Sequence, residues 1–231
     1  MAGLIRRRVF HARWSRFKAE AAPLGGAVAA YADAGPPDLA CPANRLAALA
    51  LDMETTGLDP KRDSLLSVGH VPLDGRMITL GGAARFYVRP HRALDGVNVA
   101  IHGLTDSVVA EGIEPTLALT RLFTALSGRI LLAHHADLEV RFLQCMAQHL
   151  WGLTPPMAAL DTLTLARRHP RIDPETLGPG DLKLGSLRAR FHLPRLQAHE
   201  ALADALGAAE LFLALTAGRR SPPLGRLVRL F

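Results

Sequence analysis

An apolar run that ends in two acids one residue apart does most to limit what this chain can fold into. Leu49-Ala50-Leu51 leads into Asp52-Met53-Glu54, and Thr55-Thr56-Gly57-Leu58-Asp59 then opens a turn. In an extended strand, residues i and i+2 point to the same face, so both carboxylates leave the strand end side by side. Two like charges held that close raise a pKa unless a cation neutralises them, and hard oxygen ligands suit Mg2+ or Mn2+. Alone, an Asp-x-Glu pair is weak evidence, because most such pairs are simply solvated.

The rest of the chain supplies a frame for that strand end. Its 231 residues suit one α/β domain with a large core rather than two full domains. Strands are expected at 46–53, 64–71 and, after the turn Asp74-Gly75, at 78–88. Short connections make these three antiparallel neighbours. Leu119, Leu122, Phe123 and Leu126 give a helical stripe, and Arg129 to Ala133 an apolar strand running into His134-His135. A helix over 137–150, a strand near 157–161, a helix from Thr162, a Pro/Gly-rich loop at 170–180, a helix near 183–191 and a long Ala-rich helix over 200–217 follow. Hairpin strands followed by alternating helices and strands imply a mixed sheet flanked by helices. Three regions are expected: an N-terminal helical extension and linker at 1–44, a catalytic domain at 45–217, and a basic flexible tail at 218–231.

Charge follows the same division. The net charge of +6 suggests a polyanionic partner, yet residues 1–18 hold six Lys or Arg and no acid, and residues 218–231 hold four Arg and no acid. The body between them is mildly acidic. Phe10, Trp14 and Phe17 line one face of an N-terminal helix, a stripe suited to packing or to docking a protein partner. No membrane-spanning run is present, and two cysteines, Cys41 and Cys145, form no framework, so a cytoplasmic location is expected. His91, His102, His134 and His135 have no Cys at ligand spacing, and no separate zinc site is expected.

Three further groups can join the first pair. Glu139 lies at the start of a helix that follows a strand. His199 and Asp204 open the last long helix. On an ideal helix i and i+5 are about 140° apart, so both face one site only if His199 stands on the loop before the helix. Four carboxylates and a histidine, each at the end of an element, are what a two-metal phosphodiester hydrolase needs, with the His accepting a proton from water.

In order and local wording these segments resemble the DEDDh exonucleases of the ribonuclease-H-like superfamily, over roughly residues 45–216. Asp52-Met-Glu54-Thr-Thr-Gly-Leu-Asp matches the first motif and His199-Glu-Ala-Leu-Ala-Asp204-Ala the third. Ile101-His102-Gly103-Leu104-Thr105 is similar to a family loop, and Asp161-Thr162 to its usual Asp-Thr. The resemblance implies a ribonuclease-H-like fold and a 3′→5′ exonuclease that releases nucleoside 5′-monophosphates from single-stranded ends, DNA favoured and RNA possible. It implies two Mg2+ or Mn2+ ions held by Asp52, Glu54, Asp204 and Glu139, with His199 as general base. It places Thr55, Thr56, Gly57, Leu58, His102 and His135 against the terminal nucleotide, and it implies a polymerase or other protein as the partner an N-terminal helix could dock.

The second motif departs from the family pattern His-Asn-Ala-x-Phe-Asp-x-x-Phe-Leu. Here His134-His135-Ala136-Asp137-Leu138-Glu139-Val140-Arg141-Phe142-Leu143 puts His at the Asn position and Glu139 at the Asp position. Asp137 is the nearest Asp, but only Glu139 keeps Phe142-Leu143 in register. Retained activity with looser or Mn2+-favouring metal geometry is expected; the alternative is a catalytically weak or inactive nucleic-acid-binding module of the same fold.

Overall fold

A computed structural model describes residues 2–90, 111–197, 199–218 and 223–231. The apolar run becomes β1 (Ala47–Thr55), paired antiparallel with β2 (Leu65–Asp74) in a register that sets Leu49 against Pro72 and Asp52 against Gly69. β3 (Met77–Ile78) and β4 (Ala84–Tyr87) share the outer edge of β2. The single strand expected at 78–88 is therefore two pieces, and Pro72 explains the break. Proline has no N–H to give the ladder. The Thr79 amide instead donates to the Pro72 carbonyl at 2.9 Å, and Gly82 lies so close that a Cβ there would come within 2.8 Å of the Pro72 ring.

Beyond the hairpins the chain alternates. α3 (Pro115–Leu126) begins on a proline, whose missing N–H is no loss in a first turn, and buries Leu119, Leu122, Phe123 and Leu126. β5 (Ile130–Ala133) runs parallel to β1, and after α4 (Asp137–Trp151) β6 (Ala158–Asp161) runs parallel to β5. α5 (Thr162–Arg167), α6 (Leu184–Arg190) and α7 (Ala201–Thr216) follow, then β7 (Val228–Leu230), antiparallel to β6. The seven strands form one mixed sheet, ordered β3-β2-β1-β5-β6-β7 with β4 also on β2. This is the expected architecture.

Ahead of β1 lie α1 (Ala2–Ala21) and α2 (Gly26–Asp33). The aromatic stripe of α1 is spent on packing, which removes it as a docking face for a partner. Phe10, Trp14 and Phe17 are buried, the Trp14 indole donates to the Ala32 carbonyl at 3.0 Å, and its ring lies 5.1 Å from Tyr31. Tyr31 stacks edge-on against Phe123 of α3 at 5.0 Å and donates to the Pro156 carbonyl. Among the described side chains of α1, the large exposed hydrophobics are Ile5 and Val9.

Within the segment expected as a flexible tail, 218–231, the described residues 223–231 pack against the body. Leu224 is buried, its amide donates to the Cys41 carbonyl and that of Gly225 to Leu39, both at 2.9 Å. Val228 and Leu230 alternate with arginine, a half-buried strand pattern long enough to cap the edge of β6. Among the described residues no helix is long and apolar enough to cross a membrane.

Candidate active site

One row across the sheet builds the site. Asp52 on β1 faces Gly69 on β2, and Gly69 faces Arg85 on β4. Residues opposed in this way point to one face. Between the acid and the arginine there is no side chain, and the first turn of α7 fills the gap: a Cβ on Gly69 would meet the Leu202 amide nitrogen at 2.1 Å and the Ala201 carbonyl carbon at 2.2 Å. Glycine is required here because a backbone lies where any side chain would begin.

α7 is thus delivered with its acids over the end of β1. His199 stands before the helix in a left-handed conformation, φ 61°, and its amide donates to Asp204 Oδ2 at 2.9 Å. The five-residue spacing works because the residue is off the helix. Ligand atoms of Glu54, His199 and Asp204 all lie within 4.8 Å of one another. Glu200 caps α7, accepting from the Ala203 amide at 2.8 Å and from Leu202 at 3.4 Å, and its other contact is the Arg85 guanidinium at 2.8 Å.

On the other side, Asp161 at the end of β6 organises the entry to α4. Its carboxylate accepts from the His135 amide at 2.9 Å, from Leu163 at 3.0 Å and from the Thr164 hydroxyl at 2.6 Å. His135 takes a left-handed φ of 77°, a conformation that Asn and His tolerate better than most residues. His134 is pinned between Thr162 Oγ1 at 2.8 Å and the Leu182 carbonyl at 2.9 Å. Asp137 turns away to an ion pair with Arg229 of β7. Glu139 turns inward and is buried, and its Oε2 has no hydrogen-bond partner among the described residues.

The electrostatics identify the cluster. Burial, and then the charges of Glu139, Glu54, Asp204 and Glu200, push the Asp52 carboxyl well above its ordinary range. Burial foremost, with Asp161 and Asp137 adding, pushes Glu139 up to about 8. Asp204 is raised as well, by burial first, against the lowering effect of the His199 amide and ring. Burial works to raise Glu200 too, but the bonds from Arg85, Ala203 and Leu202 prevail and hold it below its usual range. Converging acids with raised pKa values and an orphaned buried carboxylate oxygen are what a site shaped for divalent cations looks like with protein atoms alone. The residues present fit such ions.

Of the residues expected against a terminal nucleotide, Thr55 and Thr56 use their hydroxyls within their own turn: Thr55 donates to the Gly57 carbonyl at 2.7 Å, and Thr56 Oγ1 accepts from the Ser64 amide at 2.9 Å. Leu58 stands 72% exposed beside them, and the His135 side chain is exposed. A Cβ on Gly57 would strike the Asp63 carboxylate at 2.5 Å. His102, with the loop from Ile101 to Thr105, and His91 lie outside the described residues. Sequence reasoning missed Gly69, whose signal was a lone glycine inside an apolar strand. It also missed Glu200, which reads as a helix cap, and Arg85, which carries no local signal.

Comparison with known proteins follows the same outline. The profile of the RNase T family, described as exonuclease, matches residues 49–212. The DNA polymerase III subunit epsilon of Rickettsia felis is 28% identical over 181 residues, 75% of this chain and 75% of that protein. The PolC-type DNA polymerase III of Thermotoga maritima is 29% identical over 165 residues, 71% of this chain but 11% of that protein, so the chain spans about a tenth of such relatives. E. coli Exonuclease I, in a complex with a dT13 oligonucleotide, superimposes with a TM-score of 0.61 at 18% identity, over 74% of this chain and 41% of that one, a likeness of fold.

Proposed function

The chain belongs to the RNase T exonuclease family, and from that premise we propose that it is a divalent-metal-dependent 3′→5′ exonuclease acting on single-stranded nucleic-acid ends, DNA in preference to RNA. The observation that carries this reading is the convergence of Asp52, Glu54, Glu139, Asp204 and His199 from three separate elements onto the end of β1. Asp52, Glu54, Asp204 and Glu139 would hold two Mg2+ or Mn2+ ions. Bound there, the ions supply Lewis acidity and neutralise charge on the reacting phosphate.

The chain's own groups do the rest. His199 is exposed, so its ring can take a proton from the attacking water and pass it to solvent. Water adds to phosphorus as the bond to the 3′ oxygen breaks; that oxygen takes a proton from solvent to become the new 3′-hydroxyl, and a nucleoside 5′-monophosphate leaves. The apolar Leu58, open at the turn after β1, offers the last base a surface to stack on, which favours an unpaired end. Glu139 is a methylene longer than the family's aspartate but starts from a buried position, which suits a site that accepts Mn2+ at least as readily as Mg2+.

The test is digestion of matched 5′-labelled single-stranded DNA and RNA with Mg2+, Mn2+ or EDTA, comparing wild type with Asp52→Ala. Shortening from the 3′ end, lost with EDTA and with the substitution, is the expected result. Undegraded strands in every condition would overturn the proposal in favour of a binding module.

A further inference from the structure

His199 is the least anchored member of the site. It is exposed, precedes its helix, and adopts a φ that costs a β-carbon residue energy. Such a conformation persists only where its surroundings impose it. Downstream, Asp204 accepts the His199 amide. Glu200, the next residue, is held by two α7 amides and by Arg85.

We propose that Arg85 is a positioning residue for His199: anchored on β4, it grips Glu200 and so fixes the turn from which the base projects. This rests on His199 serving as the base. The row Asp52–Gly69–Arg85 places the arginine on the same face and level as the metal-binding acid, with the start of α7 held between them. Arg85 is itself steadied, its guanidinium lying 5.3 Å from the centre of the Tyr87 ring. Glu200 therefore has two duties, capping α7 with one set of bonds and tying it to the sheet edge with the other. A cap alone would satisfy the helix. The ion pair adds a lateral tether, so that α7 and β4 fix the position of His199 together.

The experiment compares Arg85→Ala, Arg85→Lys and Glu200→Gln, each also in a His199→Ala background. Steady-state kcat and KM are measured on single-stranded DNA, together with hydrogen exchange of the His199 amide in metal-free protein. A positioning role predicts that Arg85→Ala lowers kcat about 10–100-fold with KM unchanged, that Arg85→Lys recovers part of the loss, and that Arg85→Ala with Glu200→Gln is no worse than Arg85→Ala. In the His199→Ala background Arg85→Ala should have no further effect. The His199 amide should exchange faster in Arg85→Ala and regain protection in Arg85→Lys.

A rise in KM that persists without His199 would show that Arg85 touches the substrate instead, and overturns the proposal. So would unchanged kcat and exchange. If the wild type degrades nothing, the exonuclease reading fails, yet the exchange measurement still decides whether Arg85 orders the turn.

Discussion

The starts of α4 and α7 both bring a carboxylate to Asp52, and they are built in opposite ways. α4 begins inside the protein. Its Glu139 is buried with an orphaned oxygen, its entry turn is fastened by Asp161 from the sheet, and its spare acid, Asp137, is neutralised by Arg229 of β7. α7 begins at the surface. Asp204 is half-buried, His199 is exposed, and beyond the backbone packing on Gly69 the first turn is tied to the sheet edge by the Arg85–Glu200 ion pair. Charge storage and proton transfer ask for different surroundings. A group that must hold a cation gains from low dielectric, whereas a base that must exchange protons with solvent needs an open side.

The strongest way to break this contrast is to displace α7 altogether. Gly69→Val would drive a side chain into the Leu202 amide, and we expect loss of activity with a melting temperature roughly 10 °C lower, read by nuclease assay and thermal unfolding. Removing only the open group separates function from fold. His199→Ala should lower kcat by about 10²–10⁴ while the melting temperature moves by less than about 2 °C.

The closed side should respond in the opposite sense. A carboxyl whose folded pKa lies above its unfolded one takes up a proton on folding, so the stability it contributes is full at low pH. That stability is lost as pH rises from 4.5, the ordinary value, towards about 8. Metal-free protein should therefore melt roughly 5 °C lower at the alkaline end of that window, and Mn2+ should restore it. Glu139→Gln should flatten the pH dependence and remove the Mn2+ stabilisation, although activity is lost; Asp204→Asn should flatten it less. The mildest change, Glu139→Asp, should shift metal preference a few-fold towards Mg2+ in activation titrations.

Much of this was legible before any coordinates. The acids of β1 stood out by their spacing, and the position of His199 before its helix followed from the angle between i and i+5. Choosing Glu139 over Asp137 rested on the register of Phe142-Leu143, and the structure places Glu139 inward and Asp137 on Arg229. What escaped were pairings made across the sheet. Arg85 lies far in sequence from Glu200, and Arg229 from Asp137, so no local pattern announces either. Pro72 could have warned that the hairpin would split, but only once its ring nitrogen, which has no hydrogen to donate, was known to face the outer edge. Val228 and Leu230 were hidden by brevity, since a three-residue strand has too little periodicity to read against flanking Pro and Arg.

The meeting of residues 39–42 with residues 223–225, and of β6 with β7, has a consequence for the order of folding. These contacts join segments that are far apart along the chain, so the loop they close is among the most expensive to form and should close late. Until it does, Ala158 to Leu160 present an unpaired edge to other polypeptides. During synthesis the sheet should hence pass through a state that is nearly complete yet prone to self-association, which the arrival of β7 brings to an end.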